Sequence, residues 1–152
     1  MRYQVSLAMV VLLAALTIPA WAISPDDKDL DQQALTALEA RINQAPAKDQ
    51  CFLYAELIHQ MTEVSLRQYT AGDVPKANAL LRQVQAIAHR LHLSVANNDK
   101  RLKNAEILLR RTAFRLNEML HASDYDNRPL LEATLAQVNQ ADNEAMMQVF
   151  KK

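Results

Sequence analysis

The chain has 152 residues, and its 17 Lys and Arg balance its 17 Asp and Glu, so its formal net charge is zero. This balance argues against nucleic acid or an anionic membrane surface as a partner, because both attract proteins with a basic excess. With one cysteine, Cys51, and one glycine, Gly72, the chain can form neither an intramolecular disulfide nor a glycine-rich phosphate-binding loop.

The N-terminus has the features of a secretory signal peptide. Arg2 precedes an apolar run over 5–18, Pro19 ends that run, and Ala20-Trp21-Ala22 has the small-x-small pattern that signal peptidase accepts. A retained membrane anchor needs roughly 20 apolar residues, and this run is shorter. We therefore predict a cleaved signal peptide of residues 1–22.

Residues 23–152 are expected to form the mature protein as a single domain. Without Arg2, the mature chain has sixteen basic and seventeen acidic residues. Small secreted animal domains usually depend on disulfides, and this chain has neither a second cysteine nor an Asn-x-Ser/Thr glycosylation acceptor. We therefore predict a bacterial location, either periplasmic or secreted, with no stable membrane insertion after cleavage.

The mature sequence favours helix throughout, because Ala, Leu, Gln, Lys, Arg and Glu dominate it. Five segments place apolar residues three and four positions apart, which collects them on one face of a helix. In the first segment this stripe contains Leu30, Ala34, Leu35, Leu38, Ile42 and Ala45. The predicted helices span about 25–45, 47–71, 74–96, 99–122 and 128–150.

Turn residues mark the boundaries of these helices. Pro46 ends the first helix, and Gly72 follows the second, where a residue in the left-handed conformation commonly closes a helix. Asp73 is expected to cap the third helix, and Pro75 is tolerated in its first turn because no amide donor is needed there.

The boundary between the third and fourth helices has two interpretations. Val95 and Leu102 are seven residues apart, which keeps the two stripes in phase and allows one helix of about 45 residues. Asn97-Asn98 favours a break, because asparagine is poor in helix interiors and good at helix ends. Helices of similar length with short connections predict an all-α, up-and-down antiparallel array or bundle of four to five long helices.

The second and fourth helices each have a further apolar line away from the main stripe. Residues seven apart lie along one side of a helix, and these lines consist of Phe52, His59 and Leu66, and of Ile107, Phe114 and His121. Two apolar sides predict packing against neighbours on both sides, as in stacked hairpins. The alternative is that the lines are exposed and bind a partner. In that case Phe52, Leu66, Ile107 and Phe114 form the candidate interaction surface.

Two Glu-x-x-His pairs, Glu56 with His59 and Glu118 with His121, have the ligand spacing of carboxylate di-iron bundles. Such a site also needs one Glu from each of two further helices, and the third predicted helix contains no acidic residue. We therefore predict no metal and no cofactor, and keep these four residues as the only metal candidates. The serines lack the glycine turn that presents a nucleophile, so we predict that the protein is not an enzyme.

The middle of the chain resembles a tetratricopeptide-type hairpin. The resemblance comes from residues 54–69, from Ala71-Gly72-Asp73-Val74-Pro75-Lys76-Ala77, and from Ala86 and Ala88. In that repeat, a Gly-Asp turn and a Lys-Ala pair open the second helix.

The mature chain also resembles a group of uncharacterised small exported helical proteins of acidobacterial type. The similar stretches are Cys51-Phe52-Leu53-Tyr54-Ala55-Glu56-Leu57 and Arg101-Leu102-Lys103-Asn104-Ala105-Glu106. This resemblance implies a helical fold and export, and implies no activity.

The sequence therefore suggests two functions. The favoured one is a non-enzymatic helical module that holds an unknown protein or peptide partner in the bacterial envelope. The alternative is a helical bundle that binds a metal or small ligand through Glu56 and His59 together with Glu118 and His121.

Overall fold

A computed structural model describes residues 25–95 and 101–151 of the chain. The predicted signal peptide and the Asn97-Asn98 junction lie outside the described residues. The all-α prediction is confirmed, since five helices and no strand occur in the described ranges. None of these helices has the length and apolar character needed to cross a membrane. They are α1 (Pro25–Gln44), α2 (Ala47–Thr70), α3 (Val74–Val95), α4 (Leu102–Ala122) and α5 (Arg128–Phe150).

Gly72 closes α2 in the left-handed conformation, as predicted, with a φ of 82°. The Gly72 N–H donates to the Tyr69 carbonyl at 3.0 Å and the Asp73 N–H donates to the Gln68 carbonyl at 2.9 Å. These two bonds form the Schellman pattern, which satisfies carbonyls that the helix end leaves open. Asp73 then starts α3, and hydrogen bonds from the Lys76 side chain and, less strongly, from its backbone N–H lower the pKa of the Asp73 carboxyl.

The helices pack as two hairpins side by side. Helix α2 packs against α3 and α4, while α5 packs against α3 and α4 on the other side of the bundle. Four side-chain contacts between the hairpins join residues that are 49 to 53 positions apart, and they follow the same order along the chain: His59 with Thr112, Arg115 with Glu63, Asn78 with Asn127, and His92 with Glu144.

This order shows that α2 runs parallel to α4 and that α3 runs parallel to α5. Consecutive helices therefore alternate in direction, as predicted for an up-and-down array. Because α3 and α4 run in opposite directions, they are separate helices, and the predicted break between them is confirmed.

Helix α2 lies at the centre, in contact with α1, α3 and α4, and buries side chains on more than one side. Helix α1 lies on the outside and packs against α2. Of the predicted α1 stripe, Leu35, Leu38 and Ile42 are buried and Ala45 is partly buried, but Leu30 is 58% exposed and Ala34 is exposed as well. The prediction that Leu30 and Ala34 belong to the core is therefore wrong, because one supporting helix covers only part of the α1 stripe.

Candidate functional site

A concavity of about 1010 Å³ lies between the N-terminal half of α1 and the α2–α3 hairpin. We call it the α1–α2–α3 groove. It exists because α1 packs on α2 and leaves the furrow between α2 and α3 partly uncovered. Apolar side chains from all three helices line it: Leu30, Leu35, Val64, Leu66, Ala79 and Leu80.

The charged side chains around this groove largely pair with one another. Solvent-exposed ion pairs contribute about 0–1 kcal/mol each to stability, so their main effect here is to neutralise the rim. The paired residues are Arg67 with Asp31, Lys76 with Asp73, and Arg115 with Glu63, each at 2.8 Å. An apolar floor with a neutral rim suits an apolar side of a ligand better than a charged group.

A second, smaller concavity of about 260 Å³ lies beside the C-terminal half of α1, against the same hairpin. Its lining includes Ile42 from α1, Leu57 from α2 and Ile87 from α3. Gln83 borders both concavities. They are therefore two openings of one furrow between α2 and α3, with α1 lying along it.

A shallow depression of about 360 Å³ lies between α2 and α4 and contains His59. The His59 Nδ1 and the Thr112 Oγ1 are 3.1 Å apart, and the Thr112 hydroxyl donates to the Leu108 carbonyl at 2.8 Å. A hydroxyl has one proton to donate, so the His59 Nδ1–H is the donor and Nε2 keeps its lone pair.

The surroundings of His59 favour the neutral ring. Burial is the largest cause and lowers the pKa of His59, and the positive charges of Arg111 and Arg115 lower it further. The Glu63 carboxylate opposes this shift. A neutral imidazole with a fixed tautomer and an available Nε2 has the form that binds a metal or accepts a proton.

The structure brings only one of the two Glu-x-x-His pairs to this depression. Glu56 and His59 line it. Glu118 instead accepts a hydrogen bond from Arg115 at 2.9 Å, and the exposed His121 contacts the Asn117 carbonyl of its own helix at 2.7 Å. Given the parallel register of α2 and α4, Glu118 lies about ten residues, or about 15 Å, further along the bundle than Glu56.

The second pair therefore lies too far along the bundle to complete a site with the first. Within residues 25–95 and 101–151, no three metal-binding side chains come together.

The four residues of the candidate interaction surface have different surroundings. Phe52 and Leu66 are partly buried and pack against the core. The Arg101 guanidinium lies 5.1 Å from the centre of the Phe52 ring, and Leu66 lines the α1–α2–α3 groove. Ile107 is 38% exposed and lines the depression that contains His59, while Phe114, on the outer side of α4, is 63% exposed. The line on α2 therefore packs internally, whereas on α4 Ile107 borders the depression and Phe114 faces solvent.

The groove and its polar rim could not be predicted from the sequence. Leu66 belongs to a predicted apolar line, but no local pattern indicates that α1 leaves Leu66 and Leu80 uncovered. Arg67 and Thr112 were also missed, because their partners Asp31 and His59 lie 36 and 53 residues away along the chain.

Comparison with protein-family models, curated proteins and solved structures found no match to this chain. The two resemblances drawn from the sequence therefore stay predictions.

Proposed function

We propose that this protein is an exported, non-enzymatic interaction module of the bacterial envelope, and that it holds an amphipathic helix of a protein partner in the α1–α2–α3 groove. The observation that carries this proposal is the apolar floor that α1, α2 and α3 build together in the concavity of about 1010 Å³. Amphipathic helices bind such grooves through apolar residues spaced one and two turns apart.

The charge around the groove supports an apolar contact over an electrostatic one. Asp31, Asp73 and Glu63 each have a basic partner within the protein. The partner therefore meets few unbalanced charges, and its affinity is expected to depend only weakly on salt concentration.

The arrangement of the helices also supports this function. The α2–α3 and α4–α5 hairpins lie in register side by side, as hairpins do in helical-repeat proteins, which bind partners on concave surfaces. This likeness is in keeping with the proposed tetratricopeptide-type character of α2 and α3.

Capture of partners from envelope extract tests the proposal when two matched variants are compared with the natural chain. Ala79→Asp places a charge on the α3 side of the groove, which stays in place whether or not α1 moves, and Phe114→Asp places one on the outer side of α4; both residues are exposed. We expect one reproducible partner, identified by quantitative mass spectrometry, to be retained by the Phe114 variant and lost by the Ala79 variant. Loss only in the Phe114 variant would move the binding site to α4, and equal retention by both would refute the groove.

A second candidate function is weak binding of a transition metal at His59. The hydrogen bond from Nδ1 to Thr112 favours it, because metal-binding histidines usually donate their other ring N–H to a fixed acceptor. Glu56 is the only acidic residue lining the same depression. Calorimetric titration with Zn²⁺ or Cu²⁺ tests this candidate, which predicts binding that His59→Gln removes and His121→Gln leaves unchanged.

A further inference from the structure

We infer that the furrow between α2 and α3 is a helix-binding site whose resident ligand is α1, and that a partner helix binds by taking the place of α1. This inference rests on the proposed function for the statement that the groove binds a partner. It adds the chemistry of that partner: a helix with a carboxylate followed by apolar residues four, seven and eleven positions later. These are the positions of Asp31, Leu35, Leu38 and Ile42 in α1.

The seating of α1 shows what the furrow accepts. Leu35, Leu38 and Ile42 are the buried apolar residues of α1, and they lie on one side of the helix. Asp31, one turn before Leu35, accepts a hydrogen bond from Arg67 of α2 at 2.8 Å. The furrow therefore recognises an apolar line and one carboxylate at its Arg67 end.

The furrow continues beyond the surface that α1 covers. Concavities flank α1 over both of its halves, and Gln83 borders both of them. Val64 and Leu80 line the concavity beside one half of α1, and Leu57 and Ile87 line the concavity beside the other half. A helix with larger apolar side chains than α1 fills this space better, which gives a partner an advantage over α1.

The link between α1 and α2 is suited to release of α1. Only Ala45 and Pro46 separate the helices, and Pro46 has an extended backbone with a φ of −62° and a ψ of 149°. The Asp49 N–H donates to the Pro46 carbonyl at 2.9 Å, within the first turn of α2. Rotation before Pro46 therefore moves α1 and leaves this turn of α2 intact.

Binding of a synthetic α1 peptide to the full exported chain tests the inference. The probe is residues 25–44 with a fluorescent label, and its affinity is measured by anisotropy for the natural chain and for Leu38→Asp. This substitution places a charge on the buried side of α1, so it releases α1 and empties the furrow. We expect the Leu38 variant to bind the probe at least about tenfold more tightly, because a larger fraction of its furrow is open.

Two controls make the result specific. The same Leu38→Asp change in the peptide is expected to weaken binding at least about tenfold, since the peptide then lacks the apolar line that the furrow accepts. A chain with Phe114→Asp is expected to bind the peptide as the natural chain does, because Phe114 lies outside the furrow. Ile42→Asp also places a charge on the buried side of α1 and should release it. If circular dichroism shows that the Leu38 variant is unfolded, the probe affinity of the Ile42 variant is used in its place.

Equal binding by the natural chain and the α1 variants would overturn the inference, as would equal binding of the two peptides. Failure of the proposed function is seen separately. If the peptide result is as expected and envelope extract yields no groove-dependent partner, α1 is a displaceable helix and the proposed envelope partner is refuted. If a partner binds and the peptide affinity stays unchanged, the groove binds its partner with α1 in place.

Discussion

The packing of α1 predicts that its stability is separate from that of the other four helices. Leu38 of α1 and Leu109 of α4 are both buried, with exposures of 3% and 0%. Burial alone therefore predicts similar losses for Leu38→Ala and Leu109→Ala, about 2.7–5.0 kcal/mol each. Because α1 can leave without exposing the interface between the hairpins, a substitution in α1 should lower the free energy of unfolding by no more than the free energy with which α1 docks.

That limit follows from what α1 buries. Leu35, Leu38 and Ile42 together contribute roughly 5–9 kcal/mol of apolar burial, at about 1.5–3 kcal/mol per side chain. Much of this offsets the cost of ordering a 20-residue segment that is only marginally helical in isolation. A net docking free energy of about 3 kcal/mol is then reasonable, and it falls below the roughly 5–15 kcal/mol of a whole domain.

Urea unfolding followed by circular dichroism measures this limit. Leu38→Ala is expected to lower the free energy of unfolding by no more than about 3 kcal/mol, and adding Ile42→Ala is expected to lower it by less than about 0.5 kcal/mol further, because α1 is already released. The slope of the transition should fall as well, since the released helix exposes surface before unfolding. A further loss of about 2 kcal/mol or more in the double variant would show that α1 unfolds together with the bundle.

Three further predictions concern α2 and α5. Burial and, less strongly, Glu106 raise the pKa of the Asp142 carboxyl, so the ionised carboxylate destabilises the folded protein. Asp142→Asn should therefore stabilise the protein at pH 7 by roughly 0.5 kcal/mol in urea unfolding. The gain should vanish below pH 3.8, where the carboxyl is protonated in both the folded and the unfolded protein. Burial lowers the pKa of His59, so the natural chain should lose stability as pH falls below 6.5, and His59→Gln should lose less over the same thermal-unfolding series. Cys51 is fully buried, so its thiol should react with an aromatic disulfide reagent at least about 100-fold more slowly in the folded protein than in urea.

The ends of the helices could be predicted from the sequence because the signals that set them are local. The second helix was predicted over 47–71 and spans Ala47–Thr70, since Gly72 supplies the left-handed turn that ends it. The fourth was predicted to begin at about 99 and begins at Leu102.

The neighbours of each helix could not be predicted in the same way. Apolar spacing shows which side of a helix is buried, but it does not show which helix covers that side. The apolar spacing of the third predicted helix therefore gave no indication that α3 packs beside α5. The second apolar line of α2 did carry information, since Phe52 and Leu66 pack against the core of a helix with neighbours on several sides.

The candidate site shows the same division between local and distant information. The spacing of Glu56 and His59 correctly placed both on one side of α2, and both line the same depression. The tautomer of His59 depends on Thr112, which is 53 residues away and reaches it because α2 and α4 run parallel. The separation of Glu118 from Glu56 follows from the same register. Predicting it therefore required the packing of the helices, which their separate sequences do not show.

The two hairpins differ in what covers their outer sides, and this difference supports the proposed position of the binding site. Helix α1 lies along the outer furrow of the α2–α3 hairpin and leaves the groove with its apolar floor. On α4, Phe114 is exposed on the outer side of the helix, and Ile107 lines only the shallow depression of about 360 Å³ beside His59. A furrow between two helices surrounds a ligand with apolar atoms on three sides, whereas an exposed side chain on one helix contacts it on one side only, so apolar burial favours a partner at the α1 side.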